Sequence, residues 1–185
     1  MSNQWNMNVP GVIDGYNGSD LDVVVPSVVD GVTVKSITGG VFNAKPITTL
    51  TIPDGIDISS ANGLCLGCSE LREVVIGNGV AAIPSNGFFG CGSLNSFSCS
   101  SAYSAIGSGA FYSCTSLQTF EVPASVVSIG ESCFVGESSM NSIDFKGDAP
   151  SCGFVFNATP ATGYYPKGNT TYGNPWNGLP MIERS

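Results

Sequence analysis

The chain has 185 residues, of which 42% are hydrophobic and only 11% charged, with a formal net charge of −8 and no histidine. That length suffices for one domain with a sizeable core, and Gly, Ser, Asn and Thr supply the polarity that Lys and Glu give to amphipathic helices, so short strands and turns are expected. The missing histidine excludes Ser-His-Asp and Cys-His catalysis and His-ligated zinc, and the acidic balance speaks against nucleic acid as a partner.

Residues 1–46 predict an amino-terminal cap and opening coil. Met1-Ser2-Asn3-Gln4 has no basic and apolar tandem, so no secretory signal stands at the start. No apolar run approaches the ~18 residues of a membrane helix, and membrane insertion is not expected.

Residues 47–139 predict four full repeats. LNSFSCSSAYSAIGSGAFYSCTS (94–116) is followed directly by LQTFEVPASVVSIGESCFVGESS (117–139) in the same register. Lead residues fall at Ile47, Leu71, Leu94, Leu117 and Met140, spaced 24, 23, 23 and 23. Three and five residues on come Leu50 and Ile52, Val74 and Ile76, Phe97 and Cys99, Phe120 and Val122, Ile143 and Phe145. Apolar residues at steps of two indicate a short strand with one buried face. Nine after the leads stand Ile56, Val80, Tyr103 and Val126, and twelve after them Ile83, Ile106 and Ile129, with Ser59 the exception beside Ile58. Seventeen after them come Leu64, Phe88, Phe111 and Phe134, each preceded by a small residue. A unit this short cannot bury its own apolar positions, whereas stacked units make one continuous core. The strands would then pair side by side in a parallel sheet at about 4.8 Å spacing. Residues 140–185 predict a partial repeat and a carboxy-terminal cap, in which Tyr164, Tyr165, Tyr172 and Trp176 would close the last coil. All three segments belong to one elongated domain.

The register L-x-x-L-x-I-P-x-x-V-x-x-I-G-x-x-A-F-x-x-C-x-x-L resembles the BspA-like, treponemal-type leucine-rich repeat. It stands here as Leu117, Phe120, Val122-Pro123, Val126, Ile129-Gly130 and Phe134, with Ala110-Phe111 and Cys114 in the adjoining coil. Residues 12–42, with an extra loop over Val29–Val34, resemble the opening coil of the family, and 143–150 with 163–169 its closing segment. Departures are one extra residue after Leu64, Cys99 and Tyr103 in place of aliphatics, and Glu137 where Cys is usual. The resemblance implies a mainly β, right-handed solenoid of ~23-residue coils with a parallel sheet on one wall. It also implies surface recognition rather than chemistry, on cells or in virus and phage particles.

Residues two and four after each lead should face outward from the sheet. They are Thr49 and Thr51, Glu73 and Val75, Ser96 and Ser98, Thr119 and Glu121, Ser142 and Asp144. This ladder of hydroxyls with a few carboxylates is the candidate binding face for a protein or glycan. Few bulky anchors stand on it.

Other candidates carry less. Cys65-Leu66-Gly67-Cys68 is formally C-x-x-C, but no second pair and no histidine completes a metal shell. Cys91 and Cys114 recur at one offset and read as small core residues, although bridges between stacked coils are sterically open. Glu121 and Asp144 sit on neighbouring coils at one offset, the arrangement of a glycosidase pair, without a pocket to raise either pKa. Asp20 with Asp22 and Asp54 with Asp57 lack the ligand set of a calcium loop, and Asn17, Asn157 and Asn169 head short glycosylation motifs. No catalytic residue, metal or cofactor is assigned. The expectation is a non-enzymatic recognition or adhesion scaffold, extracellular or on a cell surface, with exposed edges and ends open to homotypic contacts. The alternative is a capsid decoration or fibre component of a virion, since the numbering from Met1 without leader or tag reads as a complete polypeptide.

Overall fold

The computed structural model describes residues 4–100 and 102–185, and holds eighteen short strands and no helix among them. Met1–Asn3, on which the expectation about a signal partly rests, lie outside the described residues.

The five lead residues are all buried, and so are Leu50, Val74, Phe120 and Ile143 at the next inward step. Inward and outward positions alternate along Thr49–Ile52, Glu73–Ile76, Thr119–Val122 and Ser142–Phe145. Each strand pairs in parallel with its counterpart a coil away, Thr49 beside Glu73 and Glu73 beside Ser96, and again Thr119 beside Ser142.

The expected parallel wall is present but divided. A first plate runs Asp22–Val24, Thr49–Ile52, Glu73–Ile76 and Ser96–Cys99, and a second runs Thr119–Val122, Ser142–Phe145, Thr162–Tyr165 and Met181–Glu183. No pairing joins Ser96–Cys99 to Thr119–Val122. The core behind them is rich in aromatic rings. Coil 94–116 sets Phe97 against Phe111, and coil 117–139 sets Phe120 against Phe134, with edge-to-face centroid distances of 4.9 Å. Phe111 and Phe120 meet across the two coils, also at 4.9 Å. The coils on either side carry Val74 with Phe88 and Ile143 with Phe156 at these places. Two successive Phe–Phe coils thus crowd the interior directly behind the gap. Phe97 and Cys99 are accordingly only half-buried.

The second wall is continuous where the lead wall is not. Ala82–Ile83, Ala105–Ile106, Ser128–Ile129 and Ser151–Cys152 form one four-stranded parallel sheet. The Ile-Gly pairs belong here. A Cβ on Gly107 would lie 2.4 Å from the Ser85 nitrogen, and one on Gly130 2.3 Å from the Ser108 nitrogen, so the preceding coil passes too close for any side chain.

The third wall is made of turns whose backbone bonds run forward. Asn86 donates to the Ser108 carbonyl at 2.8 Å, Phe88 to Ala110 at 2.9 Å and Gly90 to Tyr112 at 2.8 Å. This ladder corrects the repeat register in the first full coil. Gly63 donates to Ser85 at 2.9 Å and Cys65 to Gly87 at 2.7 Å, which places Cys65, not Leu64, in the column of Phe88. Gly63 shares the left-handed backbone of Asn86, Gly109 and Ser132, with φ of 64, 52, 62 and 57 degrees. The insertion therefore precedes Gly63 rather than following Leu64, and Ile58, fully buried, fills the core in place of Ser59.

Aromatic residues close both ends. Trp5, Tyr16 and Phe42 cluster at the amino end, with Trp5 and Tyr16 rings 4.6 Å apart. The expected extra loop is a tight hairpin pairing Val28–Val29 with Val32–Thr33 around Asp30-Gly31. At the carboxy end Trp176 and Tyr172 pack on Phe145 at 5.2 and 5.4 Å, and Tyr165 stacks on Tyr172 at 5.2 Å. Tyr164 departs from the expected cap. It pairs beside Asp144 and faces outward, under the Arg184 guanidinium at 5.2 Å.

Candidate functional site

All ten outward positions lie on lead-wall strands, six on the first plate and four on the second. Glu73, Val75, Ser96, Ser98, Thr119 and Glu121 are exposed, and Thr49, Thr51, Ser142 and Asp144 half-buried. The face the spacing predicts as continuous is thus two plates meeting at an unpaired junction.

The plates differ in chemistry. On the first, the Asp22 carboxylate accepts hydrogen bonds from the Thr48 and Thr49 hydroxyls at 2.9 and 3.1 Å. Thr48, Thr49, Arg72, Glu73, Asn95 and Ser96 line a shallow depression beside it. The second plate carries a charge cluster. Lys146 Nζ lies 3.1 Å from Glu121 Oε2 and also contacts Asp144, while Arg184 holds Asp144 with two bonds of 2.8 and 2.7 Å. Burial pushes the Asp144 carboxyl up, but the hydrogen bonds and charges of Lys146 and Arg184 outweigh it and hold the group below the ordinary carboxylate range. The Glu121–Asp144 pair that spacing offers for glycoside hydrolysis is therefore bridged by Lys146, and Asp144, held also by Arg184, is driven away from proton donation.

The remaining acidic candidates hold local structure, Asp20 accepting the Tyr16 hydroxyl at 3.4 Å. Asp54 accepts the Asn78 amide at 2.7 Å, and Asp57 accepts the Ser59 amide and hydroxyl at 2.9 and 2.6 Å. No disulfide joins the seven cysteines, of which five are buried and Cys99 and Cys152 half-buried.

A second surface lies outside the candidate face. Leu66, Phe89, Tyr112 and Val135 occupy one outward column of the third wall, each directly after an inner-column residue. Leu66 is 41% exposed, and Phe89 and Tyr112 stack at 4.6 Å with rings 3° from parallel. Stacked face to face along the solenoid, these rings offer edges rather than faces to a partner. The repeat itself carried this signal, since an apolar residue recurs beside an already filled core position.

The structure shares its fold with solved leucine-rich repeat proteins. A T. pallidum leucine-rich repeat protein is 21% identical with a TM-score of 0.57, over 83% of this chain and 78% of that one. A Bacteroides ovatus leucine-rich repeat protein is 21% identical with a TM-score of 0.64, over 89% of this chain and 42% of that one. A leucine-rich cell surface protein of Faecalibacterium prausnitzii is 19% identical with a TM-score of 0.62, over 98% and 52%. The chain thus spans about half the length of the latter two. No curated protein matches the sequence. No helix among the described residues is long and apolar enough to cross a membrane. The family model for the BspA-type leucine-rich repeat region matches residues 61–155 in six copies, more than half of the sequence, and the chain belongs to that family.

Proposed function

We propose that this protein is a non-enzymatic recognition scaffold displayed at a cell surface, which holds a protein or glycan partner on its outward lead wall. The observation that carries this reading is the wall itself. Mostly polar side chains from Thr49 to Asp144 stand on strands whose inward residues, Phe97 and Cys99 apart, are buried in the core, so a partner meets a lattice that needs little ordering. Family membership supports the scaffold role, and the description of the F. prausnitzii neighbour as a cell surface protein supports the location. Homotypic contacts would use the outer strands Asp22–Val24 and Met181–Glu183, because aromatic caps close the core at both ends.

The test is a binding screen of the immobilised chain against matrix proteins and glycan arrays, repeated with Ser98→Arg and Thr119→Arg. Both substitutions point away from the core, and each is expected to weaken a captured partner by about tenfold or more. Unchanged binding in both, with loss instead in Phe89→Asp, would move the site to the third wall. Recovery of the protein at fixed stoichiometry in purified virus particles would replace the cell-surface reading with a virion one.

A further inference from the structure

One buried column obeys a simple hydrogen-bonding rule. Cys68, Cys91 and Cys114 stand three residues after Cys65, Phe88 and Phe111 of the inner column. Each thiol donates to the inner-column carbonyl of the preceding coil, Cys68 to Phe42 at 2.8 Å, Cys91 to Cys65 at 3.1 Å and Cys114 to Phe88 at 3.2 Å. The same carbonyls accept a backbone N–H from their own coil, Lys45 to Phe42 at 3.0 Å, Cys68 to Cys65 at 3.2 Å and Cys91 to Phe88 at 3.1 Å. Both lone pairs of each buried carbonyl are thereby met. The last coil keeps the rule with a hydroxyl, since Thr159, three residues after Phe156, donates through Oγ1 to the Phe134 carbonyl.

Glu137 holds the place between Cys114 and Thr159 in this column, three residues after Phe134 and fully buried. Its Oε1 accepts the Cys114 N–H at 2.8 Å, while Oε2 has no hydrogen-bond partner. The carbonyl that the register assigns to it, Phe111, accepts the same Cys114 N–H at 3.2 Å. An ionised carboxylate cannot donate, and a protonated one can.

We propose that Glu137 is carried as the neutral acid, its O–H donating to the Phe111 carbonyl where other coils use a thiol or hydroxyl, and that this proton makes the junction between coils 94–116 and 117–139 pH-sensitive. That junction is the one whose lead-wall pairing is missing, so the third wall there bears more of the connection. The titratable groups facing Glu137 are the thiols of Cys114 and Cys133, both pushed up by burial and so kept neutral, and a thiol has no cationic form to offer. Burial likewise moves the Glu137 carboxyl from an ordinary 4.5 up to about 8, against the lowering effect of the Cys114 N–H.

The sign follows from proton counting. Between these values the folded chain keeps a proton that the unfolded chain releases, so this contribution to stability is complete below 4.5 and lost as pH rises through about 8. The chain has no histidine, so few other groups change charge in that window. The experiment is urea unfolding of the wild type, Glu137→Gln and Glu137→Cys from about pH 5 to about pH 9. The wild-type midpoint is expected to fall steadily to about pH 8, while the Glu137→Cys midpoint, with the family's thiol restored, stays flatter and becomes the higher of the two at the alkaline end. Parallel profiles for wild type and Glu137→Cys would overturn the proposal. Infrared difference spectra near neutral pH supply a second readout. A protonated-carboxyl carbonyl band lost in either variant is expected, and carboxylate bands alone would overturn the assignment even if Glu137→Gln fails to fold.

Discussion

Coils 94–116 and 117–139 meet on two walls with opposite results. On the second wall Ala105–Ile106 pairs with Ser128–Ile129 as regularly as any other rung, while on the lead wall Ser96–Cys99 and Thr119–Val122 do not pair at all. The same two coils, the same repeat length and the same core lie behind both. What differs is the volume pressing on each wall. Ile106 and Ile129 face the interior from the second wall, whereas Phe97 and Phe120 face it from the lead wall, opposite Phe111 and Phe134. The unpaired rung is thus the one that meets bulky rings from both walls.

The comparison breaks most severely if the shared ring is removed. Phe111 is fully buried and packs against Phe88, Phe97, Phe120 and Phe134. Phe111→Ala is expected to cost about 3–5 kcal/mol in urea unfolding, the usual range for a buried phenylalanine. A loss below about 1 kcal/mol, the scale of a surface substitution, would mean that the aromatic column is not under packing constraint. The intact wall can be broken in turn. Gly130→Ala sets a methyl group against the Ser108 backbone and is expected to cost roughly 1–3 kcal/mol through displaced coils, with amide exchange quickening along Ser128–Ile129. Unchanged protection there would show that the close approach is not limiting. The smallest expected effect sharpens the comparison most. Phe97 is half-buried, so Phe97→Leu removes less burial while relieving the crowding. Stability should change by under about 1 kcal/mol, and the amides of Thr119–Val122 should become better protected as the two plates close. If their exchange stays as in the wild type, side-chain volume is not what divides the wall.

Much of this architecture is legible in the residues because a solenoid repeats its constraints. Lead residues, inward strand positions and the Phe column recur at fixed offsets, and a position that must be buried in every coil leaves a periodic mark. The outward face is legible for the same reason, by alternation with the buried positions. Spacing fails where two coils must be compared in space. The insertion in coil 47–70 leaves Leu64 and Cys65 both apolar and both buried, and the hydrogen bonds of Gly63 to Ser85 and of Cys65 to Gly87 show which of them shares a column with Phe88. The carboxylates Glu121 and Asp144 look like a pair, yet Arg184 reaches Asp144 from forty positions away in the chain. Glu137 reads as a departure from a cysteine pattern, and its meaning depends on the carbonyl of Phe111 and on Thr159 one coil further on.

The sequence by itself determined the coil length, the all-β character, the parallel stacking, the inward and outward columns and the absence of histidine chemistry, because each of these follows from composition or from a period that every coil must satisfy. Only the tertiary structure decided that the lead wall is two plates, that the candidate carboxylates are clamped by Lys146 and Arg184, that a second apolar column runs along the third wall and that Glu137 lies buried with one oxygen unmet. These depend on volumes and donors contributed by neighbouring coils, whose sum no single repeat contains.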